Sequence, residues 1–174
     1  MDDLKLDSLY ERDALAWAEQ QADLLRRLAA GEAVNEAVDW PNVIEEVEDV
    51  GQSQLRACRS LLRQALVHLL KLHAWPGSLV KLHAWPGSLA TEHWRDEVGR
   101  FLADAEDRFT PSMRQRIDLD ELYGKALHFA CMARDVSGPP RPLPPACPFT
   151  LNELLAKFPD IAALSAKLAE ASAA

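Results

Sequence analysis

The residue types in this chain best suited to binding a metal ion are its five histidines and its many carboxylates. Carboxylate-bridged metal sites in helical bundles use Glu-x-x-His on each of two helices, but no histidine here has Glu or Asp three residues before it. His68, between Val67 and Leu69, can be a lone ligand or a hydrogen-bonded histidine at the core boundary. Neither HExxH nor GxSxG occurs. We therefore expect no catalytic residue, no resident metal and no cofactor.

Charge is unevenly distributed along the second predicted helix. Its first third, from Asp39 to Asp49, carries acids and no base, and the part that follows carries bases and no acid. Arg56, Arg59 and Arg63 recur at i, i+3 and i+7, so they share one helical face. This order complements the helix dipole, but it equally suits an acidic surface for a basic partner, or an arginine face for a phosphate or an acidic partner. The net charge of −8 disfavours nucleic acid as a general partner.

The cysteines and the hydropathy of the chain exclude further classes of protein. Cys58, Cys131 and Cys147 are odd in number and lack C-x-x-C spacing, so neither a disulfide framework nor a zinc ribbon is predicted. Cys58 and Cys131 fall on apolar helix faces, where cysteine acts as a small core residue. The absence of a long apolar run and of a basic and apolar leader predicts a cytoplasmic protein with no membrane span.

An all-α fold is expected to position these residues. Leu and Ala number 54 together, against 15 for Val, Ile and Thr, and this composition favours helices over strands. Capping boxes start helices after Ser8, Asp118 and Thr150, and Asp39 can cap the second helix. The apolar spacing predicts a bundle of four main helices with short C-terminal helices, in a single domain over residues 1–174.

The second helix has the longest apolar period of the chain. Its predicted inward stripe runs over more than 30 residues and ends before Pro76 and Gly77. The stripe starts with Val43, Ile44, Val47 and Gly51, and it continues with Leu55, Cys58, Leu62, Ala65, Leu66 and Leu69.

One segment is rich in proline. Six of the eleven prolines lie within residues 139–148, and such a segment is extended rather than helical. We expect it to be a strap that carries the C-terminal helices across the bundle. Its P-x-x-P spacing also matches the ligands of polyproline-binding domains.

Residues 71–80 and 81–90 are a tandem duplication, KLHAWPGSLV and KLHAWPGSLA. Ten residues are too few for a solenoid repeat, so the second copy is interpreted as an extension of a connection between two helices, which loops tolerate. We expect the first copy to complete the second helix in the core and the other copy to be exposed. The alternative is a duplicated ligand site, with His73 and Trp75 repeated as His83 and Trp85.

The segment W-P-N-V-I-E-E-V-E-D-V-G at residues 40–51 resembles the N-[LV]-I-E-E-[IV]-E-D-[ML]-G signature of the bacterial domain-of-unknown-function 29 family. Three further pieces agree with that family in order, and together they extend the resemblance over almost the whole chain. They are Tyr10-Glu11-Arg12-Asp13 with Trp17, His68-Leu69-Leu70-Lys71, and Cys147-Pro148-Phe149-Thr150.

The resemblance implies an all-helical bacterial domain with no assigned catalytic residue. It points to five signature positions as the first to test, Glu45, Glu46, Glu48, Asp49 and His68. These residues form a partner surface, a cation site or helix contacts, depending on whether the fold brings them together. The main hypothesis is a non-enzymatic interaction or regulatory module that binds another protein through the acidic part of the second helix. The alternatives are a metal-binding bundle or enzyme that uses His68 with these carboxylates, and a homodimer.

Overall fold

The computed structural model describes residues 8–77, 90–134, 136 and 138–173, and all regular structure in these ranges is helical. The all-α prediction is confirmed. Two 3₁₀ segments, Asn35–Ala37 and Pro111–Arg116, lie between longer helices. The α-helices are α1 (Leu9–Arg12), α2 (Ala14–Ala29), α3 (Trp40–Ala74), α4 (Ala90–Arg108), α5 (Leu119–Cys131), α6 (Leu151–Leu154) and α7 (Ile161–Ala173).

The first predicted helix is divided into two. The capping box at Ser8 and Glu11 forms, but it closes only the single turn of α1. Asp13 then breaks the helix, and its carboxylate accepts the Ala16 N–H to cap α2. At the end of α2, Gly31 has a φ of 89°, a left-handed conformation that glycine adopts at little cost.

Helix α3 begins at Trp40 after Asp39, as predicted, and it remains helical through Gly51. Its buried residues start at Leu55 and continue to the end of the helix. The start of the predicted inward stripe is wrong, because Ile44 and Val47 are 54% and 69% exposed. The periodicity is helical throughout, but no other element that the structure describes covers these two side chains.

The contacts within the chain divide it into two compact units, one up to Ser53 and one from Gln54 onward. This division falls inside α3, which is one continuous helix. The single domain expected over residues 1–174 therefore stays a prediction.

The larger unit has the main hydrophobic core. Its fully buried side chains come from the second part of α3 and from α4, α5, α6 and α7. The largest of them are Trp94 and Tyr123, with Leu62, Leu66 and Leu102 also buried. Complete burial of one leucine side chain contributes roughly 1.5–3 kcal/mol, so this cluster is the main source of stability. Cys58 is fully buried, as predicted, whereas Cys131 is exposed and its prediction is wrong.

The proline-rich segment is joined to this core by hydrogen bonds. The Tyr123 hydroxyl donates to the Pro144 carbonyl at 2.9 Å, and the Trp75 indole N–H donates to the Gly138 carbonyl at 3.0 Å. The Arg141 backbone N–H donates to the Ala74 carbonyl at 2.9 Å. Prolines lack the N–H groups that would pair such carbonyls locally, and the aromatic donors of the core satisfy two of them.

The C-terminal helices follow this segment. Thr150 and Glu153 form the predicted capping box of α6. The Lys167 ammonium on α7 donates to the Glu153 carboxylate at 2.6 Å. These bonds hold the pKa of Glu153 at about 2, with the Lys167 hydrogen bond as the largest cause.

The first copy of the duplication completes α3. Trp75 is buried, and the ring Nε2 of His73 lies 3.0 Å from the Pro142 carbonyl oxygen. Residues 78–89, which include His83 and Trp85 of the second copy, lie outside the described residues. Among the helices that are described, none combines the length and apolar character needed to cross a bilayer.

Candidate functional site

Four acidic residues of the signature lie in the first turns of α3, and all four are exposed. They are Glu45, Glu46, Glu48 and Asp49. We call the segment from Ile44 to Val50 the acidic head of α3.

Glu46 has a structural contact within the smaller unit. The Tyr10 hydroxyl donates a hydrogen bond to Glu46 Oε1 at 2.6 Å, which joins α1 to α3. This bond is the main reason that the pKa of Tyr10 rises to about 12, since ionising the phenol would place two negative charges together. The Tyr10 ring also packs edge-on against Trp17, with 4.8 Å between ring centroids. Glu46 therefore positions α1 against α3.

Asp39 is the centre of a second polar network, and sequence reasoning identified it only as a cap. Its carboxylate accepts the Trp17 indole N–H at 3.0 Å and the Asn42 side-chain amide at 2.7 Å. Its backbone N–H donates to Gln21 Oε1 at 2.8 Å. These contacts lower the pKa of Asp39, with the Asn42 side-chain bond as the largest cause. The only sequence signal for the Gln21 contact is that this polar residue interrupts the apolar face of its helix.

The acidic head also exposes three aliphatic side chains. Ile44, Val47 and Val50 are 54%, 69% and 65% exposed. Ile44 is next to Glu48 at i+4 and Val47 at i+3, so apolar and acidic side chains adjoin on this part of the helix. Exposed single aliphatic residues are common, but a row of them on one helix is typical of a contact surface.

His68 lies further along the same helix, 19 positions after Asp49, or about five helical turns. Its ring is half-buried and lies 5.6 Å from the Phe101 ring, centroid to centroid. Within the described ranges, no three His, Cys, Asp or Glu side chains are placed to hold a metal ion together. The structure therefore gives no support to a cation site that combines His68 with the acids of the head.

The predicted basic face lies on the second part of α3. Arg56 is exposed, and the Arg59 guanidinium donates to Glu121 of α5 at 2.6 Å. Lys125 also donates to Glu121, and this bond is the main reason that the pKa of Glu121 is lowered. The Arg63 guanidinium lies over the Phe129 ring, 5.5 Å from its centroid.

A groove runs beside Arg63 and Phe129 between α3 and α5. It comprises two adjoining cavities of about 420 and 530 Å³, and both are lined by these two residues. The first is also lined by Ser60, Gln64, Val67 and His68, and the second by Glu121, Gly124, Lys125 and His128. We call it the α3–α5 groove. Sequence reasoning missed Phe129, whose only signal is an aromatic residue on the outer face of an amphipathic helix.

A family model described as "Domain of unknown function DUF29" matches residues 9–158. The chain belongs to the DUF29 family. This DUF29 chain is also similar to a solved α-helical protein of unknown function from Rhodospirillum rubrum ATCC 11170. The two share 28% identity with a TM-score of 0.61, over 92% of this chain and 98% of the other. No curated protein matches the chain.

The geometry gives a physical reason for several pieces of the family signature in this DUF29 chain. Tyr10 and Glu46 contact each other, and Trp17 contacts Asp39 directly before the signature. These residues hold α1, α2 and the first turns of α3 together. Glu45 and Glu48 are exposed and belong to the outer surface of the same segment.

Proposed function

We propose that this DUF29 chain is a non-enzymatic interaction module that binds another protein through the acidic head of α3. The observation that carries this proposal is the row of exposed aliphatic side chains Ile44, Val47 and Val50 beside exposed carboxylates. The smaller unit buries few residues of its own, yet it presents this apolar row to solvent.

The apolar row supplies affinity. Burial of an aliphatic side chain contributes roughly 1.5–3 kcal/mol when it is complete. These three side chains are 54–69% exposed, so covering them contributes about 3–6 kcal/mol before the costs of association. This is enough to affect binding but not enough for a stable complex, so polar contacts must add to it.

The carboxylates supply selectivity. Glu48 adjoins Ile44 at i+4, and Glu45 lies next to Glu48 at i−3. A partner that covers the apolar row therefore brings its own charges close to Glu48 first and to Glu45 beyond it. Basic side chains on the partner would be attracted, and acidic ones would be repelled at a cost of several kcal/mol. The partner class is therefore a protein with a basic amphipathic helix, whose apolar face meets the acidic head.

The test is capture of partners from the native host with the full chain as bait. The informative variant is Glu45→Lys with Glu48→Lys, because Glu46 also positions Tyr10 and its replacement would disturb the fold. The matched control is Glu19→Lys with Glu36→Lys, which makes the same change in net charge at two exposed positions of the smaller unit.

A protein captured by the wild type and by the control should be lost from the E45K/E48K bait. The purified partner should then bind the E45K/E48K variant at least tenfold more weakly in calorimetric titrations, and its affinity for the wild type should fall with added salt. An identical set of captured proteins for all three baits would refute the proposal.

A further inference from the structure

We propose that the α3–α5 groove is a second docking site, and that its occupant is an acidic amphipathic helix of a partner protein. All residues that line the groove belong to the larger unit, so this site is independent of the acidic head and of the proposed function. The inference also assigns one class of partner to the arginine face of α3, for which the sequence leaves a phosphate and an acidic partner open.

Each of the two helices contributes a row of side chains to the groove. Ser60, Arg63 and Val67 recur at i, i+3 and i+7 on α3 and line one side. Lys125 and Phe129 are one helical turn apart on α5 and line the other side. A groove between two packed helices has the shape that receives the side-chain row of a third helix.

The first argument is the charge of the groove. Within the described residues, the Arg63 guanidinium makes no ion pair, and it donates one long hydrogen bond of 3.5 Å, to the Ser60 hydroxyl. Arg59 and Lys125 share the single carboxylate of Glu121. The groove therefore has more positive than negative charge, and a partner that carries carboxylates complements it.

The second argument is the way in which Arg63 is held. Its guanidinium lies over the Phe129 ring, 5.5 Å from the ring centroid. A guanidinium that rests on an aromatic ring is already partly ordered, so it loses less side-chain entropy when it binds a carboxylate. Its planar N–H groups can also bind both oxygens of one carboxylate.

The third argument is the apolar surface of the groove. Phe129 is 50% exposed, and Met132, its i+3 neighbour at the end of α5, is 62% exposed. Val67 lines the groove beside Phe129. An exposed aromatic side chain next to an arginine is typical of the centre of a protein interface. The partner helix therefore needs aliphatic side chains beside its carboxylates.

The fourth argument is a glycine that the fold does not require. Gly124 lies inside α5 and lines the groove, although glycine destabilises a helix relative to alanine. Apart from its chain neighbours and the backbone of its own helix, no atom that the structure describes lies within 4 Å of a Cβ built at Gly124. A Cβ built at Gly99 on α4, by contrast, comes 3.4 Å from the Ile161 side chain. Packing within the unit therefore explains Gly99 but not Gly124, where a missing side chain lets a partner helix approach closely.

Fluorescence anisotropy with the full chain tests this site. The probe is a stapled helical peptide of about 18 residues, or five turns, with a row of leucines flanked by glutamates. Its counterpart has lysines at the glutamate positions. The wild type should bind the acidic peptide roughly tenfold or more tightly than the basic one, and added salt should reduce this preference. Arg63→Glu should weaken binding of the acidic peptide roughly tenfold or more and strengthen binding of the basic peptide.

A second variant separates docking from folding. Gly124→Leu should also weaken binding of the acidic peptide roughly tenfold or more, because the added side chain fills the groove. Its melting temperature should be equal to that of the wild type or higher, since leucine is the better helix former. The matched controls are Arg95→Glu and Ala103→Leu, which make the same types of change at exposed positions of α4. Both controls should bind the acidic peptide as the wild type does.

Several results would overturn the inference. They are the absence of binding of either peptide, equal binding of both, and an unchanged affinity in Gly124→Leu. Displacement of the peptide by inorganic phosphate at constant ionic strength would assign Arg63 to a small anion instead. A wild-type dimer in sedimentation velocity that Gly124→Leu abolishes would assign the groove to a second copy of the chain. Each outcome is distinguishable from failure of the proposed function, which the E45K/E48K bait tests through the smaller unit.

Discussion

Replacement of Asp39 by alanine should destabilise the smaller unit by about 2–3 kcal/mol. The Asp39 carboxylate caps α3 and accepts the indole N–H of Trp17 at 3.0 Å. The Gln21 contact would remain, because it is made by the backbone N–H of residue 39. The change therefore removes the side-chain interactions alone.

Two contributions make up this magnitude. Replacing an aspartate N-cap by alanine costs about 1 kcal/mol. Trp17 is buried, and leaving its indole N–H without an acceptor costs a further 1–2 kcal/mol or so. Asp39→Asn is the matched variant, since its amide oxygen can still accept the hydrogen bonds of the Trp17 indole and the Asn42 side chain without the charge. This replacement should lower the free energy of unfolding by about 1 kcal/mol.

The assay is urea unfolding followed by circular dichroism, combined with amide hydrogen exchange across residues 14–29 to locate the effect. A double-mutant cycle with Trp17→Phe should give a coupling free energy of about 1 kcal/mol between Asp39 and Trp17.

The pH dependence gives an independent measure. The pKa of Asp39 is lowered by folding, so its stabilising contribution is complete above the unfolded pKa and is lost as the pH falls through the lower folded pKa. The difference in stability between the wild type and Asp39→Ala should therefore become smaller at acidic pH, and the part that a neutral acceptor retains, as in Asp39→Asn, should remain. A loss below about 0.5 kcal/mol, or a coupling near zero, would refute the assignment of Asp39 as the centre of this network.

Three further predictions concern single contacts. Glu46→Gln should lower the pKa of Tyr10 from about 12 toward 10. Ultraviolet titration measures this pKa in a Tyr123→Phe background, where Tyr10 is the one remaining tyrosine. An unchanged titration curve would contradict the Tyr10–Glu46 hydrogen bond. Tyr123→Phe itself removes a buried hydroxyl donor to the proline-rich segment. Thermal unfolding should show that it lowers the free energy of unfolding by about 1–2 kcal/mol. No change would mean that the Tyr123–Pro144 hydrogen bond is absent. Glu153→Gln should reduce the loss of unfolding free energy at acidic pH. The wild-type carboxylate contributes stability above its unfolded pKa, near 4.5, and this contribution is lost as the pH falls toward about 2. Lys167→Met should have the same effect on a plot of unfolding free energy against pH.

The local signals in the sequence were sufficient to predict much of the helical organisation. The N-caps at Ser8, Asp39, Asp118 and Thr150 all form, since each requires only residues three positions apart. At Asp118 only this half of the predicted capping box forms, because the Glu121 carboxylate binds Arg59 and Lys125. The core residues of α3 from Leu55 onward are buried as the periodicity predicts. The break between α1 and α2 at Asp13 was missed. An aspartate can cap a helix or lie within one, and only the packing of α1 decides which of the two occurs.

The candidate site depended on long-range contacts and was less predictable. The acids of the head were identified as a group, but their sequence spacing could not separate Glu46, which binds Tyr10, from the outer pair Glu45 and Glu48. Cys131 was expected in the core and is exposed. The periodicity of α5 specifies an apolar face, but the width of the buried part depends on which helices pack against it.

The sequence by itself determined that this DUF29 chain is helical, where its capped helices other than α2 begin and how charge is ordered along α3, because caps and periodicity act within a few residues. The tertiary structure alone decided which part of the apolar stripe is covered. Ile44 and Leu55 have the same character in the sequence, yet one is exposed and the other buried. The physical reason is that a helix periodicity specifies only which side chains share a face, whereas burial requires another element of the fold to pack against that face.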